Sequence, residues 1–188
     1  PRTEAEYRTA IKGFRHYRDR LTGSATPEAQ FYARADSLRE WLAQVEKRLG
    51  SMSRRLGNSV AADVINEGLA GDASAEAAQT QPDKIDVRTP WLELDDVFFE
   101  ARGTAWALLH FFRAAEFDFS EVLADKNAEA SVRQLIRELE ASLEPMRWPV
   151  VLNGGGYGLT ANHSLVMANY LARANAAVIN LRELLDQG

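Results

Sequence analysis

The chain has 188 residues, and its 46% hydrophobic content supports a sizeable core and argues against wholesale disorder. A net charge of −5 argues against a general nucleic-acid-binding role. The sequence contains no cysteine, which excludes disulfides, thiolate nucleophiles and Cys-ligated zinc.

The charge is uneven along the chain. Residues 1–60 contain 12 Lys and Arg against 7 Asp and Glu, whereas the remainder is acidic. This basic segment predicts contact with an anionic membrane surface or an acidic partner, although a solvated helix face would give the same pattern. No apolar run reaches the roughly 18 residues of a membrane span. Because the sequence begins at Pro1, we expect a fragment that an N-terminal signal or anchor could precede.

The N-terminal part shows helical periodicity. The first twenty residues carry a weak apolar pattern that ends at Leu21, and Thr26-Pro27 predicts the start of a second helix. Gly50 is predicted to end or loosen that helix, and a further short helical piece is indicated by Leu56, Val60 and Val64. The second helix carries a heptad seam with steps of four and three: Phe31, Ala35, Leu38, Leu42, Val45 and Leu49.

Residues 71–89 change in character, being small and polar without large apolar spacing, and they predict a linker. A loop of this length is unusual within a compact domain. We therefore expect one helical domain, 1–188, in which N-terminal helices (1–70) and a C-terminal helical block (90–188) flank this linker.

Thr89-Pro90 opens the C-terminal block. Because His110 is the only ionisable residue between Gly103 and Phe112, the first helix of this block is predicted to be central and buried on nearly all sides. One of its faces carries Leu94, Phe98, Ala101, Ala105, Leu108 and Phe112. The sequence DFSE is typical of a capping box, with Asp118 at the N-cap and Glu121 at N3, and predicts a break before the next helix.

The remaining pattern is also helical. The next helix should end before Pro145, and the final helix is predicted from Thr160 to about Leu185. The buried positions predicted for the two helices are Val132, Leu135, Ile136, Leu139 and Leu143, then Met167, Leu171, Ala174, Val178, Leu181 and Leu185. Strand-like alternation is missing, and only the short PVVL at 149–152 could be extended. We predict an all-α antiparallel bundle of four to five helices with a glycine-rich corner before the last helix.

The corner reads VLNGGGYGLTANHS at 151–164. Gly156 to Ala161 formally fits the dinucleotide fingerprint G-x-G-x-x-A, but the sequence lacks the βαβ unit that the fingerprint requires. An anion held on the N–H groups of the last helix stays open, while glycines with positive φ in a sharp reversal are the simpler interpretation. His163 and Ser164 would point about 100° apart, which disfavours a catalytic pair. The ligand or partner candidates here are Asn153, Gly154, Gly156, Asn162 and His163.

Polar residues on the predicted central helix form a second group: Asp95, Asp96, Glu100, Arg102 and His110. Di-metal helical bundles use Glu-x-x-His pairs, which this chain lacks. His110 would also lie about 15 Å from Glu100 along the helix axis, too far to share one ion. We therefore predict structural roles, with acidic residues favouring the helix N-terminus and His110 buried and hydrogen-bonded, and no metal or cofactor.

Small and amide side chains predict how the helices meet. Gly103 and Ala107, together with the alanine-rich final helix, predict a close crossing in which a larger side chain at Gly103 would clash. One stripe of the final helix carries Asn169, Arg173, Ala176, Asn180 and Glu183. Three interpretations of this stripe stay open. It is a polar seam inside the bundle, where it supplies a partner for His110; it is a face that binds another protein; or it is a solvated face.

Three stretches carry a resemblance: TPWLELDDVFFEARGTAWALLHFFRAAEFDF, LADKNAEASVRQLIRELE and VLNGGGYGLTANHSLVMANYLARANAAVINLREL. They resemble the C-terminal half of an uncharacterised family, known mainly from proteobacteria, that is a domain of unknown function. The likeness is strong over 89–186 and weaker before it. It implies a single-pass protein of the bacterial inner membrane, with an N-terminal anchor and a periplasmic helical domain, and it implies no catalytic residues.

We therefore expect a non-enzymatic, membrane-tethered helical envelope domain that binds another envelope protein or itself. One alternative is a ligand-binding or sensory periplasmic domain with a pocket at the corner. The other is a metal-dependent or hydrolytic enzyme that uses Asp95, Asp96, Glu100 and either His110 or His163. An exposed apolar patch would favour the interaction domain, a polar pocket the ligand-binding domain, and converging carboxylates and histidine the enzyme.

Overall fold

The computed structural model describes residues 2–58, 63–64, 85–86, 89–146, 150–154 and 160–187. These residues form six α-helices, one 3-10 turn and one pair of two-residue strands, so the predicted all-helical class is confirmed. The chain divides into two compact units, residues 1–34 and residues 35–188.

The first unit contains α1, Arg2–Leu21. Its apolar residues repeat every three to four positions, as the sequence predicts, but they are exposed: Tyr7 by 68% and Phe14 by 75%. An ion pair of 2.6 Å between Arg8 and Glu4 spans one helical turn. This helix is therefore amphipathic, with an exposed apolar face flanked by charged side chains.

The predicted helix start at Thr26-Pro27 is wrong. Residues 22–34 form turns and irregular chain, and Arg20 Nε donates a hydrogen bond of 2.6 Å to the carbonyl of Pro27. The second helix, α2, spans Ala35–Gly57, and its buried face begins only at Leu38. Burial rather than a local start signal sets this boundary, since most helical stability in proteins comes from packing of the apolar face.

Gly50 does not end α2. Beyond it, Met52 and Leu56 extend the buried face that Leu38, Leu42, Val45 and Leu49 begin. A glycine inside a helix costs about 1 kcal/mol relative to alanine, and burying one large apolar side chain contributes more than that.

Two short strands, β1 (Asp63–Val64) and β2 (Ile85–Asp86), pair antiparallel, with Val64 opposite Ile85. The predicted helical piece is thus wrong at Val64, a β-branched residue that suits a strand, and at Val60 it lies outside the described residues. Most of the predicted linker, at 71–84 and 87–88, also lies outside them.

A 3-10 turn, Trp91–Glu93, leads into α3, Leu94–Asp118, which α4, Ser120–Asp125, follows. The predicted break is confirmed, but the predicted capping box is wrong. Asp118 belongs to α3, and Phe119 occupies the N-cap of α4 without a side-chain cap bond. Because the Phe119 N–H still donates to the carbonyl of Ala115 at 2.9 Å, the backbone itself satisfies this junction.

The last two helices are α5, Glu129–Ser142, which ends before Pro145 as predicted, and α6, His163–Asp186. The helix α6 packs most extensively against α2 and α5, while α5 also packs against α3. The predicted buried positions of α6 are all confirmed: Met167, Leu171, Ala174, Val178, Leu181 and Leu185. Within the described residues, α6 is therefore the helix around which the second unit is built.

The prediction that α3 is the buried central helix is wrong. The buried side of α3 carries Val97, Phe98, Ala101, Ala105, Leu109 and Phe112. Its other aromatic side chains are largely exposed, by 52% for Phe99, 60% for Trp106, 62% for Phe111 and 82% for Phe117. This helix carries apolar residues on more sides than its neighbours cover.

The predicted close crossing at Gly103 is also wrong. Gly103 is exposed, and a Cβ built there meets no heavy atom of the described residues within 4 Å. Ala107, one turn later, is only half-buried. Among the described residues, therefore, no close contact offsets the cost of this glycine to the helix.

Replacing Gly103 by alanine is expected to raise the free energy of unfolding by about 0.5–1 kcal/mol, because alanine loses less backbone entropy in a helix and the site has room for a methyl group. Urea denaturation in dilute solution measures this change. Gly154→Ala is the matched control and should destabilise, since its Cβ would lie 1.8 Å from Thr160 Oγ1. A destabilised Gly103→Ala protein would contradict the open environment.

Candidate functional site

The corner before α6 is held by backbone pairing between residues 152–154 and 161–163. The His163 N–H donates to the carbonyl of Leu152 at 2.7 Å, and the Gly154 N–H donates to the carbonyl of Ala161 at 2.9 Å. His163 also accepts, through Nδ1, a hydrogen bond of 3.0 Å from the Leu152 N–H. This imidazole thus fixes the chain that enters the helix, and its Nδ1 is not available to a ligand.

Asn162 is the N-cap of α6 and is buried. Its Oδ1 accepts from the Leu165 N–H at 2.9 Å, and its Nδ2 donates to the carbonyl of Gly154 at 2.9 Å. Asn153, on the paired segment, has a buried Oδ1 that accepts no hydrogen bond from a described residue. Asn162 is therefore a structural cap, as asparagine often is at this position.

Gly154 is required by close approach. A Cβ there would lie 2.6 Å from the carbonyl oxygen of Thr160, closer than real side chains come, and the residue is not in the positive-φ region. Gly156 and the rest of 155–159 lie outside the described residues. Ser164, the proposed partner of His163 in the disfavoured catalytic interpretation, is completely buried.

A pocket of about 360 Å³ lies beside this corner, between α3, the end of α5 and the start of α6. Its walls are mainly apolar, with polar groups from a few side chains. The lining residues are Phe98, Arg102, Ala141, Ser142, Glu144, Pro145, Met146, His163, Val166, Met167 and Tyr170. The corner residue His163 therefore forms part of a concave site together with residues that are distant in sequence.

Arg102 forms the cationic wall of the pocket. Its guanidinium donates to three carbonyls at the end of α5: Ser142 at 3.3 Å, Leu143 at 3.0 Å and Glu144 at 3.2 Å. The last carbonyls of a helix lack hydrogen-bond donors within the helix and carry partial negative charge. An arginine placed there supplies both the donors and a compensating positive charge. Arg102 therefore caps the C-terminal end of α5.

The other polar candidates of α3 do not converge. Glu100 pairs with Arg48 at 3.0 Å and Arg55 at 2.8 Å and so links α3 to α2. Asp95 and Asp96 are exposed. In the described part of the chain, no three His, Asp or Glu side chains form a group that could hold a metal ion. The carboxylates thus do not assemble the site that the enzyme alternative requires.

His110 is exposed rather than buried, which corrects the predicted environment. Its ring lies edge-on to Trp106, with 4.5 Å between the ring centroids. The predicted interior seam on α6 is wrong for the same reason, because all of its members are exposed: Asn169, Arg173, Ala176, Asn180 and Glu183. They face solvent because α2 and α5 pack against the other side of α6.

Within this exposed stripe, Arg173 is anchored by a buried carboxylate. It pairs at 2.6 Å with Glu138 of α5, whose side chain is only 5% exposed. Gln134 also donates to the Glu138 carboxylate. An unpaired buried carboxylate would be costly, so Arg173 stabilises the contact between α5 and α6. Asn169 and Asn180 remain on the accessible surface as partner candidates.

A second surface, which the sequence reasoning missed, runs along the outer side of α3. We call it the α3 stripe: Leu92, Phe99, Trp106 and Phe117, with exposures of 83%, 52%, 60% and 82%. Its signal in the sequence is a second row of apolar residues, opposite the buried row of the same helix. Two apolar rows on one helix predict either full burial or one covered and one exposed face, and periodicity alone does not choose between them.

The second unit is thus a helical domain with a pocket at one end and an exposed aromatic stripe along α3. A family model described as "Uncharacterized protein conserved in bacteria (DUF2333)" matches residues 1–188, and the chain belongs to this family. No curated protein matches the sequence, and no solved structure matches it.

Arg102→Met should lower the free energy of unfolding by about 2 kcal/mol, because it removes three charge-assisted bonds to helix carbonyls. Arg137→Met is the matched control on α5, where the exposed guanidinium donates to the side chain of Gln134, and its effect should be within about 0.5 kcal/mol. Urea denaturation compares the two. Equal effects would contradict a capping role for Arg102.

Proposed function

We propose that this chain is a non-enzymatic helical interaction domain of the bacterial envelope that binds or scaffolds other proteins. The observation that carries the proposal is the α3 stripe, in which Trp106 and two phenylalanines are more than half exposed. Soluble proteins rarely expose large contiguous apolar patches unless the patch is an interaction site. Tryptophan is also among the residues that contribute most to binding free energy in interfaces.

The polar surroundings of the stripe suit a protein partner. Charges flank the centre of the stripe, Phe99 and Trp106: Asp95 and Asp96 precede it and Arg113 follows it. The outer members of the stripe, Leu92 and Phe117, lie beyond these charges. An apolar centre with a charged rim is the usual anatomy of a protein interface, where the centre supplies affinity and the rim supplies orientation. The exposed side of α6, with Asn169 and Asn180, offers a polar surface without such an apolar centre.

The proposal includes a native location at the inner membrane, with this domain in the periplasm and an anchor outside the sequence. Among the described helices, none has the length and hydropathy needed to cross a bilayer. The membrane-facing element would be α1, which carries six basic against three acidic residues and exposes Tyr7, Ile11 and Phe14. Basic amphipathic helices bind anionic membrane surfaces through both features.

As part of the same proposal, the helices from α2 to α6 form an antiparallel bundle, and the chain reverses before α6. The backbone pairing of Leu152 and His163 supports such a reversal. In this arrangement the α3 stripe and the pocket beside the corner lie on different sides of α3.

Site-specific photo-crosslinking in cells tests the interaction function. A photoreactive phenylalanine analogue at position 117 would replace a member of the α3 stripe that is 82% exposed, and it would leave Gly103 unchanged. Position 172, an exposed alanine on α6, is the matched control. We expect a protein crosslink from position 117, to another chain or to a second copy, and none from position 172. A chain at native abundance that crosslinks from neither position would refute the proposed function.

Ligand binding is a second candidate, and the pocket beside the corner favours it. Its volume of about 360 Å³ lies within the range of small-molecule sites. Phe98, Val166 and Met167 supply apolar walls, while Arg102 supplies positive charge. The fitting ligand is a small molecule with an apolar body and an acidic head group.

Octanoate is a suitable probe, and isothermal titration calorimetry measures its binding. Val166→Trp would place a large ring at the half-open edge of the pocket and should weaken binding about tenfold or more, equivalent to about 1.4 kcal/mol. Val150→Trp adds the same ring at a similarly exposed position outside the pocket lining and should leave binding unchanged. An equal effect of the two substitutions would exclude the pocket as the binding site.

A further inference from the structure

The outer face of α3 is complementary to itself. Residues seven positions apart on a helix point in directions that differ by only about 20°. Two such rows share this face: one contains Leu92, Phe99, Trp106 and Arg113, and the other contains Asp96, Gly103, His110 and Phe117. All of these residues are exposed, and they lie opposite the buried side of the helix.

From this pattern we infer that the partner of the α3 stripe is a second copy of the chain, bound by antiparallel pairing of the two α3 helices about a two-fold axis. This inference rests on the proposed interaction function and names its partner. An axis placed midway between Gly103 and Trp106 sets each row of one copy against the other row of its partner. The facing pairs are Leu92 with Phe117, Asp96 with Arg113, Phe99 with His110, and Gly103 with Trp106.

The steric match is strongest at the axis. There the largest side chain of the face, Trp106, meets the residue with no side chain, Gly103, whose outer surface is open. A glycine lets the backbone of a partner helix approach, and a large ring from that helix fills the space. The two-fold operation makes this contact twice, which is the self-complementarity of an isologous interface. The interface thereby assigns a role to a glycine that is unfavourable within its own helix.

The charges match in the same register. Asp96 and Arg113 are both exposed, and each faces the other across the axis in both halves of the interface. One nitrogen of Arg113, Nη2, pairs with Glu140 at 2.6 Å, which leaves further N–H groups of the guanidinium for a second carboxylate. Pairs of exposed charges such as Asp96 and Arg113 determine the orientation of an interface more than its affinity. A parallel arrangement would instead bring identical charges together.

The size of the interface predicts a weak and reversible dimer. Aromatic side chains bury about 150–250 Å² each, so the exposed parts of two α3 stripes supply on the order of 1,000 Å². This area falls at the lower end for specific protein interfaces, where transient complexes are found. We expect a dissociation constant in the micromolar range.

Sedimentation equilibrium of the 188-residue chain, from about 1 to 200 µM, tests the inference. The wild-type chain should show a monomer–dimer equilibrium. Asp96→Arg and Arg113→Asp should each weaken dimerisation about tenfold or more, because each places like charges opposite one another in both halves. The double variant should regain dimerisation, since it restores opposite charges in the same register.

Two controls separate charge placement from general effects. Glu40→Arg changes the charge at an exposed position on α2 and should leave dimerisation unchanged. Glu140→Gln removes the intramolecular partner of Arg113 without altering the face, so the dimer should persist in that variant too. If either charge variant failed to fold, Trp106→Ala would decide the question. Loss of the dimer in that variant would support the inference, and an unchanged dimer would overturn it.

Failure of this inference is distinguishable from failure of the proposed function. A wild-type chain that stays monomeric at the highest concentration, or a double variant no better than the single ones, would overturn the antiparallel pairing. Crosslinks from position 117 to a different protein would then still support an interaction domain. A monomeric chain with no crosslink from that position would refute both.

Discussion

The packing of α6 between α2 and α5 is the interaction on which the second unit depends. The buried side of α6 combines three leucines and Val178 with Ala168, Ala174 and Ala177, whose small side chains allow the neighbouring helices to lie close. Buried apolar area is the main favourable contribution to folding. Because α2 and α5 both use this surface, their positions, and through α5 that of α3, follow from it.

Polar groups where α5 ends and α6 begins are used to complete helices. Asn162 caps the start of α6, and Arg102 satisfies the carbonyls at the end of α5. Glu138 is buried and paired with Arg173, which connects α5 to α6. These contacts explain why several polar residues that look like ligands in the sequence have structural roles. The pocket arises beside them, where two capped helix ends and α3 leave space.

The composition of α3 departs from what the stability of a monomer would favour. A mid-helix glycine and a row of exposed aromatic residues both reduce the stability or solubility of an isolated domain. Residues that lower the stability of the isolated domain in this way are expected at functional sites, where binding recovers the lost stability. The α3 stripe and Gly103 coincide on one face, and that coincidence motivates both the interaction function and the self-association.

The sequence by itself determined the helical class, the end of α5, the extent of α6 to within a few residues, and most of the buried positions of α2 and α6. These features are local, since apolar spacing repeats with the helical period whatever the helix packs against. It also drew attention to Gly154, Asn162 and His163, because glycines and polar residues are common just before a helix and at its start.

Only the tertiary structure decided which side of α3 is covered. That helix is apolar on opposite sides, and the limited surfaces of α2 and α5 bury one of them and leave Trp106 and Phe99 in solvent. The carbonyl partners of Arg102 lie about forty residues away in sequence. The pocket walls come from three separate segments of the chain. Periodicity records the direction of a side chain around its own helix, whereas burial depends on neighbours that only the folded chain brings together.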